Sequence, residues 1–144
     1  MPRVNISTPS SFNHTFKIKV RVTDLNYGNH LANDKIQTYL QEARIDFLAV
    51  HGLSELNVGS DTSLIQGDAA IVFKSEGFLH NEIEVKIAIN DVSNSSFDFV
   101  YQLTNLTTSK LLAIAKTRMV CFNYDERKVK PVTEALLKMT KNQE

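Results

Sequence analysis

The chain has 144 residues, 42% hydrophobic and 22% charged, the profile of one globular domain able to bury roughly two thirds of its unfolded surface. Sixteen Lys plus Arg balance sixteen Asp plus Glu, so no net field favours nucleic acid, an anionic membrane or an acidic partner. Its one cysteine, Cys121, excludes an intramolecular disulfide and any Cys-rich metal site, and reads as a buried structural thiol in a reducing compartment.

In chain order, residues 1–13 are rich in Ser, Pro and Asn and are expected to be partly disordered. They lack the apolar core of a secretory leader, and no run approaches the roughly 18 apolar residues of a membrane span. A cytoplasmic protein without a membrane span is therefore expected. Phe16, Ile18, Val20 and Val22 then alternate with Lys17, Lys19 and Arg21, the period-two pattern of a strand with one wet face. From Ile36 the period changes. Ile36, Tyr39, Leu40, Ala43, Phe47 and Val50 form one helical stripe, with Gly52 as a natural stop.

The remainder reads as β. Residues 63–77 have a strand-like end, residues 82–93 alternate through Ile83, Val85, Ile87 and Ile89, and residues 96–105 place Phe97, Phe99, Tyr101 and Leu103 in one phase. Residues 110–123 are apolar in both phases, as in a strand covered on both faces. Pro131 is expected to open a short helix through Met139, with Lys138 and Lys141 near its carboxyl end. The order is strand, long helix, four strands in antiparallel succession and a short terminal helix. This is an α+β plan in one domain, residues 1–144, with a long helix against a curved sheet.

Chemistry concentrates between the first strand and the helix. Residues 22–34, VTDLNYGNHLAND, hold Asp24, Asn26, Gly28, Asn29, His30, Asn33 and Asp34. A helix start offers unpaired N–H groups and a positive dipole end, suited to an oxyanion or a carbonyl oxygen. Each residue also has an ordinary structural use: Asn33 or Asp34 as a cap, Asp24 and Asn26 in Asx turns, Gly28 at a positive φ, and His30 in packing. Together they bring acids, an amide and an imidazole to one helix start, the groups a water-activating site requires.

The stretch from Arg21 to Arg44, RVTDLNYGNHLANDKIQTYLQEAR, resembles the signature of the hotdog-fold acyl-CoA thioesterases of the 4-hydroxybenzoyl-CoA thioesterase group. Their pattern is close to R-x-x-D-x-D-x-x-G-H-V-N-N, followed after a fixed interval by E-A-R. Arg21, Asp24, His30, Asn33 and the Glu42-Ala43-Arg44 ending match it without a gap. The resemblance implies a hotdog fold, a long central helix wrapped by a curved antiparallel sheet. It also implies homodimers or homotetramers with sites at the subunit interface.

Two departures from the pattern matter. The catalytic carboxylate usual in that group is replaced by Asn26, and the Gly before His is replaced by Asn29, with Gly28 one position earlier. An amide accepts no proton at neutral pH. Losing a general base costs 10²–10⁴ in rate, about 2.7–5.4 kcal/mol. Three nearby carboxylates could take the role. Asp34 in the first helical turn, beside the expected oxyanion-binding N–H of Asn33, comes first, then Asp24, then Glu42 two turns along.

The resemblance implies hydrolysis of an acyl-CoA to free acid and CoA. N–H groups at the helix start would hold the oxyanion, a carboxylate would take the proton, and Asn26 and His30 would position the water. CoA is then part of the substrate, and no cofactor is expected. No metal is expected either, since His14, His51 and His80 are dispersed. Two alternatives stand beside this expectation. One is a non-catalytic acyl-thioester binder that lost its base at Asn26. The other is a hotdog enoyl-CoA hydratase, whose Asp-x-Asn-x-x-His pattern fits only with an insertion.

Overall fold

The computed structural model describes residues 3–140. Strand β1 spans His14–Lys19, helix α1 Asn33–Val50, β2 Ser63–Phe73, β3 Glu82–Asn90, β4 Ser96–Asn105, β5 Lys110–Asn123, β6 Lys128–Val129 and helix α2 Glu134–Met139. The strands form one antiparallel sheet in the order β1-β3-β4-β5-β2, with β6 on the end of β5.

That order corrects the expected succession. β2 does not pair with β3 but crosses to the far side of β5, opposite residues 113–122, and β1 pairs with β3. Strand periodicity reports which face is buried and carries no information on the neighbour, so β2 could not be placed from its pattern. β1 ends before Val22, which lies in a single 3-10 turn, Val22–Asp24, and is 70% exposed. The two-residue β6 was too short to show a period.

Helix α1 lies on the sheet through Ile36, Tyr39, Leu40, Ala43, Phe47 and Leu48, which meet Ile83, Val85, Ile87, Phe97, Phe99, Tyr101 and Leu103 in one core. Burying each of the Ile, Leu, Val and Phe side chains stabilises the fold by about 1.5–3 kcal/mol. In the last two turns the buried arc drifts toward Arg44 and Leu48, which leaves Val50 66% exposed. His14 ties β1 to the helix: its Nε2 lies 2.7 Å from Asp46 Oδ2 and its ring stacks on Phe47.

On β5 one phase is buried and the other half-buried, so coverage on the outer face is partial. Cys121 belongs to the buried phase, and burial pushes its thiol up to about 11. Helix α2 starts at Glu134 and not at Pro131, because the Thr133 hydroxyl accepts from Leu136 N–H and caps it. Lys138 is in its last turn; Lys141 lies outside the described residues.

Candidate active site

The polar stretch forms a loop that closes on itself between β1 and α1. Its anchor is Asp24, only 3% exposed. Asp24 Oδ2 accepts from the Arg21 backbone N–H at 3.0 Å, from Arg21 Nε at 3.3 Å and from the Tyr39 hydroxyl at 2.7 Å. Burial pushes this carboxyl up. The Arg21 N–H, the Tyr39 hydroxyl and the Arg21 guanidinium outweigh burial and hold it below the ordinary 3.8. Burial, followed by the hydrogen bond to Asp24 and then its charge, raises the Tyr39 phenol far above its usual value. These donors make Asp24 the tie between loop and helix.

Asn26 shapes the next turn. Its Oδ1 accepts from the N–H groups of Gly28 at 2.9 Å and His30 at 3.2 Å, an Asx turn. The left-handed backbone falls on Asn29, φ 63, and not on Gly28. Asn is among the residues that tolerate this region best.

Helix α1 begins at Asn33, behind Ala32 as its N-cap residue, and no side chain caps it. Asn33 and Asp34 do not supply the expected cap, because both already lie inside the first turn, beyond the capping position. The first-turn N–H groups therefore stand without a side-chain partner, at the edge of a cleft of about 220 Å³ lined by Asn26, His30, Asn33, Ile36, Phe73 and Glu76 among others.

Of the residues singled out from sequence, the fold brings Asn26, His30 and Asn33 to this cleft. Gly28 and Asn29 are exposed in the loop, and Asp34 is exposed on the first turn, outside the cleft lining. Glu42 lies farther along α1 with Oε2 3.5 Å from an Arg21 guanidinium nitrogen. Arg44 is buried, donating to the Tyr101 hydroxyl at 3.2 Å with Nε 3.4 Å from Glu55 Oε1.

Glu76 is the cleft residue that sequence reasoning missed. It follows β2 in the polar break Lys74-Ser75-Glu76-Gly77, which carries no motif and so no signal of its own. Backbone pairing places it. Leu31 N–H donates to Gly77 C=O at 2.8 Å, and His30 forms an antiparallel bridge with Phe78. The two segments approach so closely that a Cβ on Gly77 would stand 3.1 Å from Leu31 Cβ. This stitching sets Glu76 Oε1 3.1 Å from His30 Nδ1, with the His30 ring tilted against Phe78 at 5.0 Å.

A sequence profile described as the thioesterase-like superfamily matches residues 20–139, which include the loop, the cleft and every element but β1. The chain belongs to the thioesterase-like superfamily. Its fold is similar to that of Slr0204, a 1,4-dihydroxy-2-naphthoyl-CoA thioesterase from Synechocystis, at 24% identity and TM-score 0.81 over 92% of this chain and 97% of that one. It is also similar to YbaW, a probable thioesterase from Escherichia coli, at 18% identity and TM-score 0.72 over 89% and 96% of the two chains. A third similar structure is the hypothetical protein SAV2348 from Staphylococcus aureus, in complex with CoA, at 19% identity and TM-score 0.80 over 98% and 90%. No curated protein sequence matches the chain.

The α+β architecture of this thioesterase-like chain, one long helix on a curved antiparallel sheet, is the hotdog fold expected from its motif. Among the described residues of this superfamily member, no group of three or more His, Cys, Asp or Glu is placed to hold a metal ion. No described helix is long and apolar enough to cross a membrane.

Proposed function

We propose that the chain hydrolyses the thioester bond of an acyl-CoA, releasing the free acid and CoA. The observation that carries this proposal is the uncapped start of α1 beside the Asn26–His30–Asn33 cleft. Its N–H groups, which no side chain caps, suit the negative charge that develops on the carbonyl oxygen as water attacks. Removing one such donor typically costs 10²–10³ in rate, about 2.7–4 kcal/mol. The Asn26 side chain adds an amide donor: with Oδ1 held by Gly28 and His30, its Nδ2 is left for a carbonyl or a water. Superfamily membership and the CoA complex of the similar SAV2348 structure support this class of substrate.

A homodimer fits the same proposal. Among the described residues β2 pairs on one edge only, with β5, and its last residue, Phe73, is 47% exposed and lines the cleft. A second β2 along that edge would cover an open ladder and enclose the cleft.

The proposal is tested by free-thiol release from acyl-CoAs of increasing chain length. Turnover that saturates with one or more of them is expected. Saturable acyl-CoA binding with no thiol release favours the second reading, a non-catalytic acyl-thioester binder, for which Asn26 in place of the usual carboxylate is the specific observation. Product analysis with an enoyl-CoA covers the hydratase.

A further inference from the structure

We infer that His30 is the general base of the proposed hydrolysis and that Glu76 is its positioning partner, a relocation of the proton acceptor that accompanies Asn26. The inference rests on the thioesterase proposal and deepens it.

Among the described residues that line the cleft, two side chains can accept a proton from water, His30 and Glu76. Asn26 accepts no proton. Ser75, also in the lining, donates its hydroxyl to Leu111 C=O at 2.7 Å. The three carboxylates suggested by sequence stand elsewhere. Asp24 is buried under three donors, Glu42 faces Arg21, and Asp34 is exposed outside the lining.

Between the two cleft groups, geometry divides the roles. Glu76 Oε1 lies 3.1 Å from His30 Nδ1, an ion-pair separation, and the charge of a carboxylate there favours the tautomer with its proton on Nδ1. Nε2 then carries the lone pair, and among the described residues it has no hydrogen-bond partner. A carboxylate at one ring nitrogen with a free lone pair at the other is the arrangement by which an acid orients an imidazole base and stabilises the imidazolium that forms. The ring is also fixed by packing on Phe78 and by the backbone bridge between their segments. Glu76, with its side chain 64% exposed against 38% for His30, is the outer member of the pair.

The step balances without a further reactant. Nε2 removes a proton from water as the water oxygen bonds to the thioester carbonyl carbon, whose π pair moves onto oxygen. The carbonyl re-forms, the C–S bond breaks with its electron pair on sulfur, and the Nε2 proton passes to that sulfur. The products are the acid and the CoA thiol, with His30 neutral again.

The test combines kinetics with histidine 15N NMR on the full chain. His30→Ala should lower kcat by about 10²–10⁴ with KM within about threefold, and added imidazole should restore part of it. His30→Gln, closer in shape, replaces the alanine variant for kcat if that variant does not fold. Glu76→Ala should lower kcat at least tenfold and move His30 from the Nδ1–H to the Nε2–H tautomer; Asp34→Asn should stay within threefold. If wild type turns over but the His30 variants stay within threefold, or only KM changes, the base assignment fails. A wild-type Nε2–H tautomer, no imidazole rescue, or a tenfold loss in Asp34→Asn would also overturn it. A wild type that releases no thiol from any acyl-CoA sinks the hydrolysis proposal itself, and the base with it.

Discussion

The Tyr39 hydroxyl donates to Asp24 Oδ2 at 2.7 Å, and both side chains are buried. This bond joins the second turn of α1 to the loop that carries Asn26 and His30, so the loop keeps its place relative to the helix start. A hydrogen bond to a charged group contributes about 1.5–3 kcal/mol.

Tyr39→Phe should therefore lower unfolding stability by about that 1.5–3 kcal/mol, seen as an earlier urea midpoint with an unchanged slope. The ring still fills its place in the core, and Arg21 still holds Asp24. An unchanged midpoint would mean that the phenol does not anchor the loop.

Acid stability should carry the signature of Asp24. Its folded pKa is held below the ordinary 3.8, so protonation is harder in the folded state than in the unfolded chain. The resulting stability is fully present above that ordinary value and is lost as pH falls through the folded one. Melting temperature against pH should fall steeply there for wild type and less steeply for Asp24→Asn. Parallel curves would remove Asp24 from the account.

Arg44 and Glu55 should respond unequally to substitution. The Arg44 side chain is 6% exposed and that of Glu55 is 25% exposed, so Glu55→Leu leaves a buried guanidinium without its carboxylate, at about 3–5 kcal/mol. Arg44→Met leaves a carboxylate that water reaches, and it leaves Tyr101 its 2.6 Å hydroxyl contact with Thr117. Glu55→Leu should be the less stable variant by thermal melt; the opposite order would place the main desolvation cost on the carboxylate.

The legible parts of the chain are those where one residue's pattern determines one outcome. The stripe Ile36, Tyr39, Leu40, Ala43 and Phe47 predicts a helix and its buried face, and both are found. Pairing is a relation between two strands, so the crossing of β2 to β5 leaves no mark in either pattern. The cleft divides in the same way. Asn26, His30 and Asn33 are local to one motif, whereas Glu76 arrives through the Leu31–Gly77 backbone bond from 46 residues after His30, as the difference of 76 and 30 gives. Asp24 was legible as a special position but not as an anchor, since its partner Tyr39 lies one step away on the helical stripe.

The open edge of β2 should support self-association. Ala69 is exposed on that strand, and charge on an edge strand opposes pairing. Sedimentation should give a dimer or larger for wild type at micromolar concentration, and Ala69→Lys should weaken it at least tenfold. A monomeric wild type would leave the cleft without a second subunit and count against the proposed interface.

Asn26→Asp separates a missing base from a relocated one. An aspartate would keep the turn, because its carboxylate can accept the same Gly28 and His30 N–H bonds that Asn26 Oδ1 accepts at 2.9 and 3.2 Å. Were the cleft without a proton acceptor, this new carboxylate beside the positive helix start would raise hydrolysis by up to about 10²–10⁴. With His30 already backed by Glu76 at 3.1 Å, it instead brings a second negative charge into a cleft that must accept a developing oxyanion, and it removes the Nδ2 donor. We expect kcat to fall by about 10², the low end of the cost of losing one oxyanion donor and also of a lost base. A gain of tenfold or more in thiol release would show that the wild-type cleft lacks a base. It would return the role to the position where the family motif has its carboxylate.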